Sequence, residues 1–211
     1  RKFEETHTNP DRLVASLFKD KYFILKKVNP KELMWGMYWV ASDMQNAETK
    51  VSFYDLFKGQ ELFDLWQCVN YRFYVGNANH ADGKGIVVAN AKSLLRNILD
   101  SADEAIRKGG IAATLRFGHD GNVIPLVALM QIENCNVAVS DPYEVYKVWS
   151  DFKVVPMAAN VQIIFFRNEK SNDILVKIMH NENEVHIPVQ TDMFPYYRWR
   201  DVENYYRGML K

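Results

Sequence analysis

An imidazole beside a carboxyl can hold, donate and retrieve a proton, because both groups change protonation state under mild conditions. In this chain the pair is His119-Asp120, set between Gly118 and Gly121. Upstream lies Ile111-Ala-Ala-Thr-Leu-Arg-Phe117, almost wholly apolar, which predicts a buried strand. Downstream, Asn122 and an apolar stretch to Met130 predict a helix entered at Asn122 after a tight Gly118–Gly121 turn. Where a strand end feeds a helix start, free backbone N–H groups and the positive end of the helix dipole face one spot. Proton or phosphoryl transfer is the chemistry such a spot suits. A polar pair wedged between two buried elements is costly unless something satisfies it. On the residues alone a functional and a structural role weigh evenly.

The rest of the chain must position that pair. Its 211 residues suffice for one large domain, or a core with a small cap. Twenty-six basic residues balance twenty-six acidic ones, so no global field recruits nucleic acid or an anionic membrane. No apolar run approaches the ~20 residues that span a bilayer. Cys68 and Cys135 fit no metal or redox spacing and read as buried thiols, in preference to a disulfide. Arg1-Lys-Phe-Glu-Glu-Thr-His7 has neither an initiator Met nor a signal-peptide core, and reads as the middle of a longer chain.

Residues 9–75 read as helical, with Asn9-Pro10 and Asn29-Pro30 as cap-then-proline starts. Met34, Tyr38 and Ala41, then Leu62, Trp66 and Val69, recur at helical spacing, so residues 1–75 read as a helical cap subdomain. A polar loop over residues 76–84 leads to a long helix from Gly85 to Lys108, stopped by Gly109-Gly110. Beyond Asp141-Pro142 come three strand-like runs, Val161–Arg167, Asp173–Met179 and Glu184–Val189, with loops at Asn168–Asn172 and Asn181–Asn183. A helix from Arg198 to Leu210 closes the chain. The pattern is α/β, with residues 76–211 as the core portion.

Leu115-Arg-Phe-Gly-His-Asp-Gly-Asn122 resembles the second catalytic motif of the histidine acid phosphatases, the branch of the histidine phosphatase superfamily that includes phytases and multiple inositol polyphosphate phosphatases. Leu62-Phe-Asp-Leu-Trp-Gln-Cys-Val-Asn70 is similar to the helix preceding that motif in phytases. Lys92-Ser-Leu-Leu-Arg-Asn-Ile-Leu99 sits where the family has a long helix, and Val155-Pro-Met-Ala-Ala-Asn-Val161 resembles its Val-Pro-Phe-Ala-Ala segment. The resemblance implies the C-terminal half of a histidine-phosphatase α/β core, with a helical cap and a C-terminal β-hairpin. It further implies that His119 hydrogen-bonds the equatorial phosphoryl oxygens, and that Asp120 is the general acid and then the base toward water. Gly118 would keep the backbone close, while Asn122 and Arg116 are substrate-side candidates. For Asn122 a capping role weighs more, and for Arg116 pairing behind the site.

The family's nucleophile lies in an N-terminal Arg-His-Gly-x-Arg motif, and no Arg-His-Gly occurs in these 211 residues. None of His7, His80, His180 and His186 has the flanking arginines of a nucleophile loop. The expected protein is therefore the C-terminal fragment of a periplasmic or secreted phosphomonoesterase acting on phosphate esters, inositol phosphates included, through a phosphohistidine. Its expected partner is the missing half with the nucleophile, and no cofactor or metal is implied. A non-catalytic binding module on part of the same fold is the alternative. A metal hydrolase built on His119, Asp120 and one of His80, His180 or His186 is a weaker third reading. An uncovered sheet edge predicts either a homodimer or a rearranged first segment.

Overall fold

A computed structural model describes residues 2–168, 170–171 and 173–211. The chain divides into two compact units, Arg1–Arg72 and Phe73–Lys211.

The first unit is helical: α1 (Lys2–His7), α2 (Asp11–Leu17), α3 (Lys21–Leu25), α4 (Pro30–Asp43) and the larger part of α5 (Gly59–Asn77). Asn29 starts α4 as expected, its Oδ1 accepting the N–H groups of Lys31 at 3.0 Å and Glu32 at 3.4 Å, with Pro30 supplying a preset φ. Leu13, Met34, Tyr38, Ala41, Leu65 and Val69 are buried, whereas Leu62 and Trp66 are half-buried. Arg12 forks onto Glu61 at 2.6 and 2.5 Å and donates to the Leu56 carbonyl at 2.7 Å. Cys68 is a free buried thiol, and burial pushes it up to about 12.

In the second unit the expected long helix is two, α6 (Ile86–Ala89) and α7 (Lys92–Lys108). The break is local: Asn90 and Ala91 donate to the carbonyls of Val87 and Val88 three residues back, and the α pattern restarts with Leu95 donating to Ala91. The β-branched Ile86-Val87-Val88 run and Asn90 both favour such a break. Gly109 caps α7 at φ 68°, followed by Gly110 at φ 76°; the left-handed backbone here turns the chain out of the helix.

The expected strand Ile111–Phe117 is absent. Residues 111–117 are exposed, Phe117 by 95%, and their backbone makes no hydrogen bond among the described residues. A strand exists only through a pairing partner, and the sheet of this unit is committed elsewhere. That sheet runs β1 (Val161–Arg167), β2 (Ile174–His180), β3 (Asn183–Glu184), with β4 (Tyr196–Arg198) also on β2. The expected hairpin forms in antiparallel register from Val161↔His180 to Arg167↔Ile174. Part of its loop, at Glu169 and Asn172, lies outside the described residues. The third run shrinks to Asn183–Glu184, because Pro188 has no N–H to give a ladder and β4 takes the remaining edge of β2.

Val176, Ile178 and His180 of β2 are buried, and β2 packs against α11 (Trp199–Met209). Arg207 of α11 binds Asp100 and Asp103 of α7 at 2.9 and 2.5 Å and Glu203 at 2.6 Å, and Trp199 Nε1 donates to Asp103. Both α9 (Pro142–Val148), capped by Asp141, and the short α10 (Asp151–Val154) precede the hairpin.

Candidate active site

Everything that locates His119 and Asp120 comes from α8 (Asp120–Leu129). From Ile124 to Met130 every side chain of this helix region is buried, so the apolar run seats it on all sides. The helix packs on α6 and α7. Its C-terminal end is tied down by α11, with Tyr206 donating to the Met130 carbonyl at 2.9 Å and Tyr205 to Gln131 Oε1 at 2.7 Å. With that end fixed, the polar N-terminus is the end left in solvent.

The helix begins two residues before the expected start. His119 is the N-cap in extended conformation, and Asp120 and Gly121 already lie in the first turn, so the four-residue turn is replaced by a helix entrance. Asn122 is a cap, as weighed: its Oδ1 accepts the His119 N–H at 3.3 Å. Gly118 leaves room for that amide, since a Cβ there would meet Asn122 Oδ1 at 3.3 Å. Asp120 Oδ1 accepts the N–H of Gly121 at 2.7 Å, which holds the carboxylate against the positive end of the helix. The His119 and Asp120 side chains are exposed.

Arg116 is turned toward α7. Its guanidinium donates to Asn97 Oδ1 at 3.2 and 2.8 Å and to Ser101 Oγ at 2.8 Å. These partners are neutral, and they tether the segment that carries Arg116 to α7. The structure thus brings His119, Asp120, Gly118 and Asn122 together and sets Arg116 apart on the α7 side.

The other histidines are engaged elsewhere. His180 is buried, its Nε2–H donating to the Val154 carbonyl at 2.8 Å and its Nδ1 3.7 Å from Cys135 Sγ. Burial holds its pKa below the ordinary histidine value against the opposing pull of that carbonyl. Cys135 is a free buried thiol, pushed by burial up to about 12. His186 stacks on Phe194, with ring centroids 3.9 Å apart. No three His, Cys, Asp or Glu residues among those described form a group that could hold a metal. No described helix is long and apolar enough to cross a membrane.

One residue that sequence reasoning passed over sits at this entrance. Asn77, at the end of α5, has its Oδ1 3.5 Å from where a Gly121 Cβ would be. Only its place in a polar loop beside a glycine-rich stretch marked it, and that is weak.

The sequence model of the histidine phosphatase superfamily (branch 2) matches residues 14–181, and the chain belongs to that family. Among solved structures it is similar to the multiple inositol polyphosphate phosphatase of Bifidobacterium longum. The complex with phosphate superposes with a TM-score of 0.71 at 22% identity, over 92% of this chain and 41% of that one. The inositol hexasulfate complex gives 0.68 at 23%, over 84% and 38%. The apo form gives 0.65 at 24%, over 86% and 39%. The chain therefore spans about two fifths of the length of the structures it matches. The comparison with curated proteins gives no match.

Proposed function

We propose that this chain supplies the C-terminal part of a phosphomonoesterase that works through a phosphohistidine on polyol phosphates, inositol phosphates among them. The observation that carries the reading is the exposure of His119 and Asp120 at one helix N-terminus, in a chain of this family. The substrate class draws support from the name of the similar phosphatase and from the inositol hexasulfate in one of its complexes.

The nucleophile belongs to another stretch of polypeptide carrying Arg-His-Gly-x-Arg. Its imidazole nitrogen attacks phosphorus, and the bond from phosphorus to the ester oxygen breaks. The Asp120 carboxylic acid gives its proton to that departing oxygen, so an alcohol leaves. His119 donates to the phosphoryl oxygens that gather charge, helped by the dipole of α8. Asp120, now a carboxylate, takes a proton from the water that attacks the phosphohistidine, and inorganic phosphate is released. Strands of the nucleophile-bearing stretch would cover Ile111, Leu115 and Phe117 and pair with their free backbone. The family resemblance supports a periplasmic or secreted location, which cell fractionation tests.

The chain alone is expected to show no turnover of myo-inositol hexakisphosphate above buffer. Joined to the reading frame upstream of Arg1 that encodes Arg-His-Gly-x-Arg, it is expected to be active, and Asp120→Asn then lowers kcat by roughly 10²–10⁴-fold. Full activity of that variant on this poor-leaving-group ester refutes the role of Asp120. A start codon in place of that reading frame, with ligand binding and no turnover, would favour a binding module.

A further inference from the structure

We infer that the exposed face of α3, in the first unit, docks on an anionic lipid surface, its apolar side chains entering the acyl boundary and its lysines lying among the phosphates. The inference stands apart from the chemistry of His119 and Asp120. Its basis is an inverted pattern. Ile24 and Val28 are linked by a helical hydrogen bond at 2.9 Å, so they share one side of the turn, and both are half-buried. The large apolar residues at the other positions are in solvent: Tyr22 is 73% exposed, Phe23 59% and Leu25 49%. Apolar side chains scattered singly over a surface need no account, but three within four residues make a contiguous patch.

Positive charge is gathered at the same place. Lys19, Lys26, Lys27 and Lys31 are exposed, and none of them has a carboxylate partner among the described residues. The nearby acids are otherwise engaged. Asp20 caps α3, its Oδ1 accepting the Phe23 N–H at 2.9 Å, and Glu32 accepts from Asn29 Nδ2 at 3.2 Å. Lys27 Nζ lies 5.9 Å from the Phe23 ring centroid, which puts an ammonium group and an exposed ring on one side of the helix. The whole chain carries no net charge, so this surplus belongs to the segment alone.

The mixture of rings and lysines selects the occupant. A protein surface that covered the rings would also take the ammonium groups out of water, which is costly unless each meets a carboxylate, and lysine is depleted where proteins cover one another. A bilayer interface accepts both groups at once. The rings leave water for the acyl boundary, while the lysine stems keep the ammonium groups at headgroup level. Anionic headgroups supply the complementary charge. Such docking needs no spanning segment.

The test is co-sedimentation of the complete polypeptide with vesicles of phosphatidylcholine alone, or of phosphatidylcholine and phosphatidylglycerol in equal parts. The unsubstituted protein is expected to bind the mixed vesicles and to leave them as salt is raised. Lys26→Gln with Lys27→Gln should lower the partition coefficient about thirtyfold, and Phe23→Ser about tenfold. Lys147→Gln with Lys153→Gln removes the same charge from exposed positions of the second unit and should change binding less than about twofold. Circular dichroism checks that each variant is folded. Binding no tighter to the mixed vesicles than to phosphatidylcholine alone, or equal losses in the two lysine pairs, overturns the inference. Binding that survives Phe23→Ser and is matched by soluble polyglutamate overturns it too, and assigns the face to an acidic polypeptide. No binding, with Phe23→Ser destabilising the complete polypeptide, overturns it in favour of cover by another stretch of the same chain.

Discussion

Replacing Gly118 with alanine should have opposite signs in two backgrounds. The new Cβ would lie 3.3 Å from Asn122 Oδ1 and 3.6 Å from Asn122 Cβ, so the asparagine must yield by a few tenths of an ångström. Its hydrogen bond from the His119 N–H is already 3.3 Å long, and that displacement takes it out of bonding range. Losing such a cap costs about 1 kcal/mol. Against this, alanine restricts the unfolded chain and returns roughly 0.4–1 kcal/mol, since the backbone at Gly118 is not left-handed. In the otherwise unchanged chain Gly118→Ala should therefore be neutral to mildly destabilising. With Asn122→Ala already present there is no bond to lose and little to strike, and the same substitution should stabilise by roughly 0.4–1 kcal/mol. Urea unfolding of the four proteins closes the cycle, with a coupling of about 1 kcal/mol, or about 0.5 M in midpoint at a slope of ~2 kcal/mol/M. If Gly118→Ala has the same effect in both backgrounds within about 0.3 kcal/mol, the account of Gly118 as the space that Asn122 occupies is wrong.

Three other outcomes follow from the packing around the site. Tyr206→Phe leaves the buried Met130 carbonyl unpaired, and should cost about 1–2 kcal/mol in the same urea experiment, whereas no loss would mean that α11 does not anchor α8. His180, held below its ordinary pKa by burial, binds fewer protons folded than unfolded, so its contribution to stability falls as pH drops through about 6.5 toward the folded value. His180→Gln should flatten that part of the stability–pH curve relative to the unsubstituted chain, and an unchanged slope would refute the assignment. Backbone amides of residues 111–118 have no hydrogen-bond partner among the described residues, so hydrogen exchange in the isolated chain should run near the rate of an unstructured peptide, and strong protection would show a pairing absent from this fold.

Features specified within a few residues were legible in the sequence. Asn29-Pro30 and Asp141-Pro142 start helices because the cap oxygen and the preset φ act locally. Gly109-Gly110 ends α7 because only glycine takes successive left-handed conformations cheaply. The hairpin was legible because two strand-like runs flank a short polar loop, which closes them into one antiparallel register. Errors arose where a neighbour decides. Asn122 reads as the start of α8, yet a histidine in extended backbone can be the cap when an asparagine three residues on supplies the acceptor. Glu184–Val189 reads as a strand, but β4 competes for β2 and Pro188 cannot donate.

Ile111–Phe117 is the sharpest case, because its composition describes burial that these residues do not have. Leu115 is 75% exposed and Phe117 95%, on a backbone with both edges unpaired, while Arg116 between them is fastened to Asn97 and Ser101. Apolar composition records the environment a segment is suited to, whereas secondary structure records which partners are present. The two agree when a strand pairs with the segment and diverge when none does. The His119–Asp120 entrance escapes this dependence, since α8 buries its own length and Asn122 caps its own start. The helix entrance that carries His119 and Asp120 therefore depends on contacts of α8 itself and not on a strand paired to the segment leading to it.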